Sequence, residues 1–395
     1  MVSKRMLGLG TARSVIRELF EYGNQRAAVV GRENVYDFSL GNPSVPAPPQ
    51  VNETAIRILQ EQPDLIHCYT SAQGDAAARQ RFADSLNRRF GGDYTADQFY
   101  LTVGAAASLC CVFNGLTCPE DEFVVFAPYF PEYKVFIEGA GAKMVLIPPE
   151  IEHFQIDFAA FEQALTPHTK GVVVNSPNNP SGVVYSQETL ERLADILRRK
   201  EAEYGHPIYL ISDEPYRELA YDGAEVPWLP NCCKNTIVGY SWSKSLSLPG
   251  ERIGYLVIPS DIVDAQLIFD AAVVANRMLG FVNAPSLMQL AVSRCLDAST
   301  DIDAYDANRK LLYNGLHELG YECEYPAGAF YLWVKTPVAE PEFVALAKKY
   351  NLLLVPGASF GCEGYVRLAY CVSGDMIKRS MASFAKLAEE CGLKK

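Results

Sequence analysis

The sequence predicts an α/β fold: a large domain built on a mainly parallel sheet with helices on both faces, joined to a smaller α+β domain. Three observations carry that expectation. The chain has 395 residues, more than the roughly 250 to 300 at which a single hydrophobic core stops growing. Apolar residues make up 49% of it and charged residues 21%, ordinary globular usage that disfavours disorder or a fibrous repeat. Short Val/Ile/Tyr-rich runs alternate with helical periodicity over most of the length, as in a sheet covered on both faces.

In chain order, residues 11–31 (Thr11 to Gly31) place Val15, Ile16, Leu19, Phe20 and Val30 at mostly helical spacing and stop at a glycine, which predicts an amphipathic arm helix. Helices are predicted over 51–62, 75–90, 105–116, 131–138 and 186–203. Strands are predicted over 99–103, 123–126, 143–147, 171–175, 207–212, 236–240 and 253–258. Beyond about residue 290 the pattern changes to a long helical stretch through Leu319, a strand at 330–334, a helix, the apolar runs 352–355 and 365–371, and a final helix. The expected division is an arm and part of the small domain over 1–48, the large domain over 49–290, and the small domain over 291–395.

Composition removes several functions. A net charge of -12 opposes nonspecific attraction to nucleic acid or to anionic membrane. The eleven cysteines contain no C-x-x-C and the five histidines form no ligand-spaced cluster with them, so no metal is expected. No run approaches the roughly 18 apolar residues of a membrane span. The start lacks the apolar stretch of a signal peptide, and unpaired-looking cysteines fit a reducing compartment, so a cytoplasmic location is expected.

Ligands of open α/β sheets sit beyond the carboxyl ends of the strands, and suggestive residues follow several of them. After strand 236–240 comes Ser241-Trp-Ser-Lys244, with Arg252 eight residues past the lysine. A lysine amine can condense with an aldehyde cofactor when burial and neighbouring cations lower its pKa. Ser241 and the two-pronged guanidinium of Arg252 suit a phosphate. Asp213 follows the strand PIYLIS; a carboxylate there can keep a pyridine nitrogen protonated, while Tyr216 reaches a phenolate oxygen of the same ring. The loop Asn175-Ser-Pro-Asn-Asn179-Pro-Ser-Gly182 offers amides to ring and carboxylate oxygens, Asn179 first among them. Gly104-Ala105-Ala106 opens a helix whose first backbone N–H groups suit a phosphate. Taken singly, each feature has a plainer role: an exposed lysine, a capping aspartate, a turn, a good helix start.

Together they resemble the class I/II aminotransferases, pyridoxal 5'-phosphate-dependent enzymes of fold type I, in order and spacing across nearly the whole chain. The resemblance implies that Lys244 bears the cofactor and moves a proton at the substrate, and that Asp213, Tyr216, Asn179, Ser241, Arg252 and Gly104 to Ala106 hold it. It further implies that Tyr129, in Ala-Pro-Tyr-Phe-Pro, stacks on the ring. Gly41 and Arg367 would hold the substrate carboxylate, and Tyr69 would reach the phosphate in a neighbouring subunit, making a homodimer with shared sites. Arg367 stands inside an apolar strand, where an unpaired charge is costly, which independently suggests an anionic partner; a structural ion pair is the competing account. With a one-residue shift, Arg277 matches an arginine that binds side-chain carboxylates, so aspartate or glutamate with 2-oxoglutarate is the first expectation. The alternatives are a β-elimination (C–S) lyase on the same scaffold and a regulatory protein fused to a DNA-binding segment, for which the expected arm helix at the start leaves no module.

Overall fold

The computed structural model describes residues 2–10, 15–64 and 66–393. Its thirteen strands run β1 (Tyr36–Asp37), β2 (Phe99–Thr102), β3 (Glu122–Phe126), β4 (Lys143–Ile147), β5 (Thr169–Asn175), β6 (Tyr209–Asp213), β7 (Thr236–Ser241), β8 (Gly254–Val257), β9 (Cys323–Glu324), β10 (Tyr331–Lys335), β11 (Leu352–Leu353), β12 (Val355–Pro356) and β13 (Tyr365–Ala369). Seven of them form one sheet in the order β2-β8-β7-β6-β5-β3-β4. The five from β7 to β4 are mutually parallel, and β8 lies antiparallel to both β7 and β2. Strands β3, β6, β7 and β8 are buried along their whole length, as their unbroken apolar runs require of a sheet covered on both sides.

Helices Ala105–Leu116 and Ala265–Met278 cover one face, packing Leu109, Phe113, Phe269 and Ala272 against Ile211 and Ile237. Opposite them lie Gln187–Tyr204, Ala76–Phe90 and Ser286–Ser293. Side-chain caps fix several helix starts: Asp75 accepts from the Ala78 amide at 2.8 Å and Ser186 from Thr189 at 3.0 Å, which satisfies amides the helix itself leaves free. A second sheet, ordered β12-β13-β10-β9 and antiparallel throughout, packs with Ile302–Glu318 and Gly374–Glu390. The amino-terminal β1 pairs in parallel with β11, Tyr36 opposite Leu352.

Three expectations change. The arm helix is Val15–Val30, with Thr11 to Ser14 outside the described residues. The long stretch through Leu319 is two helices, Ser286–Ser293 and Ile302–Glu318, because Asp301 caps the second, accepting from the Ala304 amide at 3.0 Å. The two bury into different cores: Met288 and Val292 pack with the seven-stranded sheet, Leu312 and Leu316 with the smaller one. Helices Phe158–Ala164 and Ala265–Met278 were not foreseen.

Candidate active site

The carboxyl ends of three adjacent parallel strands, β5, β6 and β7, supply Asn175, Asp213 and Ser241. Register makes them neighbours: Asn175 stands opposite Asp213, and Asp213 opposite Gly239. A single helical turn, Trp242–Ser245, follows β7 and points Lys244 over the strand ends. These residues line a cavity of about 290 Å³ shared with Gly41, Ala105, Ala106, Asn179, Tyr216, Arg252, Tyr331 and Arg367.

Lys244 Nζ donates to the Gly41 carbonyl at 2.7 Å and stands 5.2 Å from the centre of the Phe330 ring. No carboxylate pairs with it among the described residues. Burial first, then the charges of Arg367 and Arg252, bring its pKa down to about 8, so the neutral, nucleophilic amine is accessible near neutral pH. Asp213 receives the Tyr133 hydroxyl on Oδ2 at 2.5 Å, while Oδ1 is buried with no hydrogen-bond partner. Burial raises its carboxyl to about 7, opposed by the Tyr133 hydrogen bond. A buried acceptor without a donor costs about 1–3 kcal/mol, which a protonated ring nitrogen at that spot would relieve.

Arg367, 2% exposed, donates to the Asn179 side-chain oxygen at 2.9 Å and to the Ser39 carbonyl at 2.6 Å. Its Nε has no hydrogen-bond partner, and it has no ion-pair partner among the described residues, so the structural ion pair weighed from the sequence is absent. Asn179 is held by its own amide, which donates to Asn175 Oδ1 at 2.8 Å; Asn175 Nδ2 in turn donates to the Asp213 carbonyl at 2.8 Å. On the far side, Gly104 caps helix Ala105–Leu116 at a φ of 101°. A Cβ there would sit 3.0 Å from Arg252 Nη2, so glycine serves both the backbone turn and the approach of the guanidinium. Ser243, which the sequence reading left without a role, also lines the cavity.

The structure corrects one assignment, that of Tyr129, and leaves Arg277 and Tyr69 outside the cavity of their own chain. Tyr129 does not line this cavity: its amide donates to the Phe360 carbonyl at 3.0 Å and its ring packs over Gly361, facing a second cavity beside the arm helix. Its neighbour Phe130 borders that second cavity too and also lines the site. Arg277 lies on the exposed side of Ala265–Met278, outside the cavity of its own chain. Tyr69, 90% exposed, is outside it as well. Ile16 of the arm helix and Tyr331 of β10 line the site without having been singled out; the alternation that puts Tyr331 on the same side of the small sheet as Arg367 was the signal available.

An orphaned carboxylate oxygen, a lysine of lowered pKa and an open helix start beside an arginine, all at the ends of parallel strands, fit pyridoxal 5'-phosphate from ring nitrogen to phosphate. The fold and site are those of a pyridoxal-phosphate-dependent transferase. The chain belongs to the aminotransferase class I and II family, whose pattern matches residues 33–384. It is similar throughout to an amino transferase from Eubacterium rectale, with 51% identity, a TM-score of 0.97 and 100% of both chains covered. The aspartate aminotransferase of Thermus thermophilus, solved with maleate, superposes at a TM-score of 0.85, with 28% identity over 98% of this chain and 99% of that one. In sequence, a probable aspartate/prephenate aminotransferase from Thermus aquaticus is 32% identical over 372 residues, covering 92% of this chain and 94% of its own. The protein is thus an aminotransferase that uses pyridoxal 5'-phosphate to pass an amino group from an amino acid to a 2-oxo acid. The lyase alternative is not favoured by these relatives. Among the described residues no helix is long and apolar enough to cross a membrane.

Proposed function

We propose that Lys244 bears the cofactor and acts as the acid–base group at the substrate's α-carbon, that Arg367 binds the α-carboxylate, and that the amino acids are aspartate and glutamate, with 2-oxoglutarate as acceptor. When bound, pyridoxal 5'-phosphate supplies an electrophilic aldehyde and a ring that accepts the electrons released at the α-carbon. Asp213 Oδ1 would keep the ring nitrogen protonated, and Tyr216 and Asn179 would donate to the ring oxygen. Arg252 would offset the phosphate's charge, and Ser241 and the amides at Gly104, Ala105 and Ala106 would donate hydrogen bonds to it. Gly41 would help Arg367 hold the substrate carboxylate, and Lys244 Nζ would take the α-proton once freed.

The single observation behind this reading is that two charged residues lining one cavity, Asp213 and Arg367, each keep a buried polar atom without a partner, a carboxylate oxygen in one and the guanidinium Nε in the other. The choice of acidic substrates rests on the names of the relatives. A distal carboxylate needs a further cation, and Arg277 is the candidate, supplied by a second copy. It shares an exposed helix face with Leu267, Val274 and Met278, respectively 68%, 59% and 67% exposed, an apolar stripe suited to an interface. The loop after that helix holds the Tyr69 segment: Asn283 donates to the Ser71 carbonyl at 2.7 Å. One homodimer interface would therefore deliver both Arg277 and Tyr69 to the partner's site.

The test is a panel of amino acids mixed with the cofactor-loaded protein, followed by absorbance. Aspartate and glutamate are expected to discharge the band of the bound cofactor fastest, and Lys244→Ala to abolish both the band and turnover. Normal turnover in that variant would refute the assignment of Lys244. Faster discharge by alanine or phenylalanine would overturn the choice of substrate.

A further inference from the structure

Tyr331 touches three separate parts of the site. Its hydroxyl lies 2.9 Å from that of Tyr216. Its ring lies under the Arg367 guanidinium, whose central carbon is 4.4 Å from the ring centre. Its hydroxyl also presses on Gly41, where a Cβ would stand 2.1 Å away, and the carbonyl of that glycine receives Lys244. Tyr331 belongs to the small sheet and Tyr216 follows a strand of the large one, so this contact joins the two halves of the active site. Burial holds the Tyr331 hydroxyl protonated, its pKa up to about 12.

We propose that Tyr331 is a positioning residue with two separable parts: its hydroxyl orients Tyr216 toward the cofactor ring, and its aromatic face holds Arg367 in place for the substrate carboxylate. The first part rests on the placement of Tyr216 given under the proposed function. A hydroxyl has one proton. If Tyr216 donates its own to the cofactor's ring oxygen, the bond between the tyrosines is donated by Tyr331. A donor on the Tyr216 oxygen polarises its O–H and strengthens the onward bond. The second part is independent of the cofactor: a guanidinium without a carboxylate partner gains from an aromatic face when desolvated. Gly41 belongs to the same device, since any side chain there would drive Tyr331 away from Tyr216.

The experiment separates the two parts in the cofactor-loaded enzyme. Tyr331→Phe removes the hydroxyl and keeps the ring; Tyr331→Leu removes both. A donor on the ring oxygen favours its anionic form, so weakening that donor is expected to move the midpoint of the cofactor's absorbance titration upward, by about 0.5 in Tyr331→Phe. In the same variant kcat should fall by about threefold to tenfold, with KM and the affinity for maleate within about twofold. Tyr331→Leu is expected to show the same titration and, in addition, to bind maleate about fivefold more weakly. In a Tyr216→Phe background, Tyr331→Phe should leave the titration where Tyr216→Phe alone puts it.

An unmoved titration in Tyr331→Phe, while Tyr216→Phe moves it, would overturn the inference and leave the proposed function intact. If Tyr216→Phe itself moves nothing, the placement of Tyr216 at the ring is what fails. Equal maleate affinity in all three proteins would remove the part assigned to the aromatic face. The Phe variant loses one oxygen and keeps the ring against Arg367, so it supplies the comparison should the Leu variant not fold.

Discussion

Two guanidinium groups of the smaller domain are buried almost equally, Arg309 at 1% and Arg367 at 2% exposure, and their surroundings differ. Arg309 is met by Asp222 at 2.5 Å, Asp306 at 2.5 Å and the Pro326 carbonyl at 2.7 Å, between the faces of Tyr221 and Tyr325. Arg367 has aromatic faces too, Tyr331 and Phe360, but only neutral acceptors, and its Nε is left without a partner. Burying a charge without a counter-charge costs several kcal/mol, so a fold tolerates it where a ligand brings the missing charge. Arg309 is complete within the chain. Arg367 has no counter-charge among the described residues.

That contrast breaks if the two arginines respond alike to removal. Arg367→Leu is expected to lower kcat/KM about 300-fold, the loss of a desolvated charge-assisted pair, while its melting temperature in the absence of substrate stays within about 2 °C of the parent because no internal ion pair is lost. Arg309→Leu is expected to keep kcat/KM within about threefold and to lower the melting temperature by about 3 °C or more, since Asp222 and Asp306 lose the guanidinium's hydrogen bonds and keep the half-exposed Lys310 as counter-charge. Steady-state kinetics and thermal denaturation on the same two samples decide the matter. Matching melting losses in both would mean that Arg367 is structural.

A smaller effect sharpens the same contrast at Asp213, the site's other incomplete group. Its carboxyl is raised to about 7 in the folded chain, from an ordinary 3.8, chiefly by burial. A group raised on folding adds stability that is fully present below about pH 4 and is lost as the pH climbs through 7. Cofactor-free protein should therefore lose melting temperature relative to Asp213→Asn between pH 5 and 8. With pyridoxal 5'-phosphate bound, that difference should vanish or reverse, because the anionic carboxylate then has a partner. A pH-independent difference in the cofactor-free pair would show that Asp213 is already satisfied.

The residues legible in the sequence were those whose chemistry is unusual where they stand. Lys244 among serines, Asp213 at a strand end and Arg367 inside an apolar strand could each be found because a charge beyond or within a buried strand demands an explanation. Tyr129 and Phe130 could not be told apart, since both are aromatic and adjacent and only the turn of the chain after β3 decides which enters the cavity. Helix Ala265–Met278 escaped notice because its outward face carries Leu267, Val274 and Met278, which hides the polar stripe that marks a surface helix. Tyr331 was hidden for the opposite reason: within FYLWV it reads as one more core aromatic, and its role lies wholly in partners brought from residues 41, 216 and 367. Arg277 was found by its neighbours in sequence, and that gives no information about which copy's cavity it faces.

The pairing of β1 with β11 has a consequence for the order in which the molecule is made. Tyr36 and Asp37 leave the ribosome before the strand they need, Leu352–Leu353, which follows more than three hundred residues later. The seven strands of the large sheet all lie between those positions and can assemble first, whereas a contact of such long sequence separation closes late. Gly41, whose carbonyl receives Lys244, lies four residues beyond β1. A nascent chain would thus leave Lys244 uncovered until Leu352 and Leu353 have been made, so its seat closes only after the large sheet has assembled.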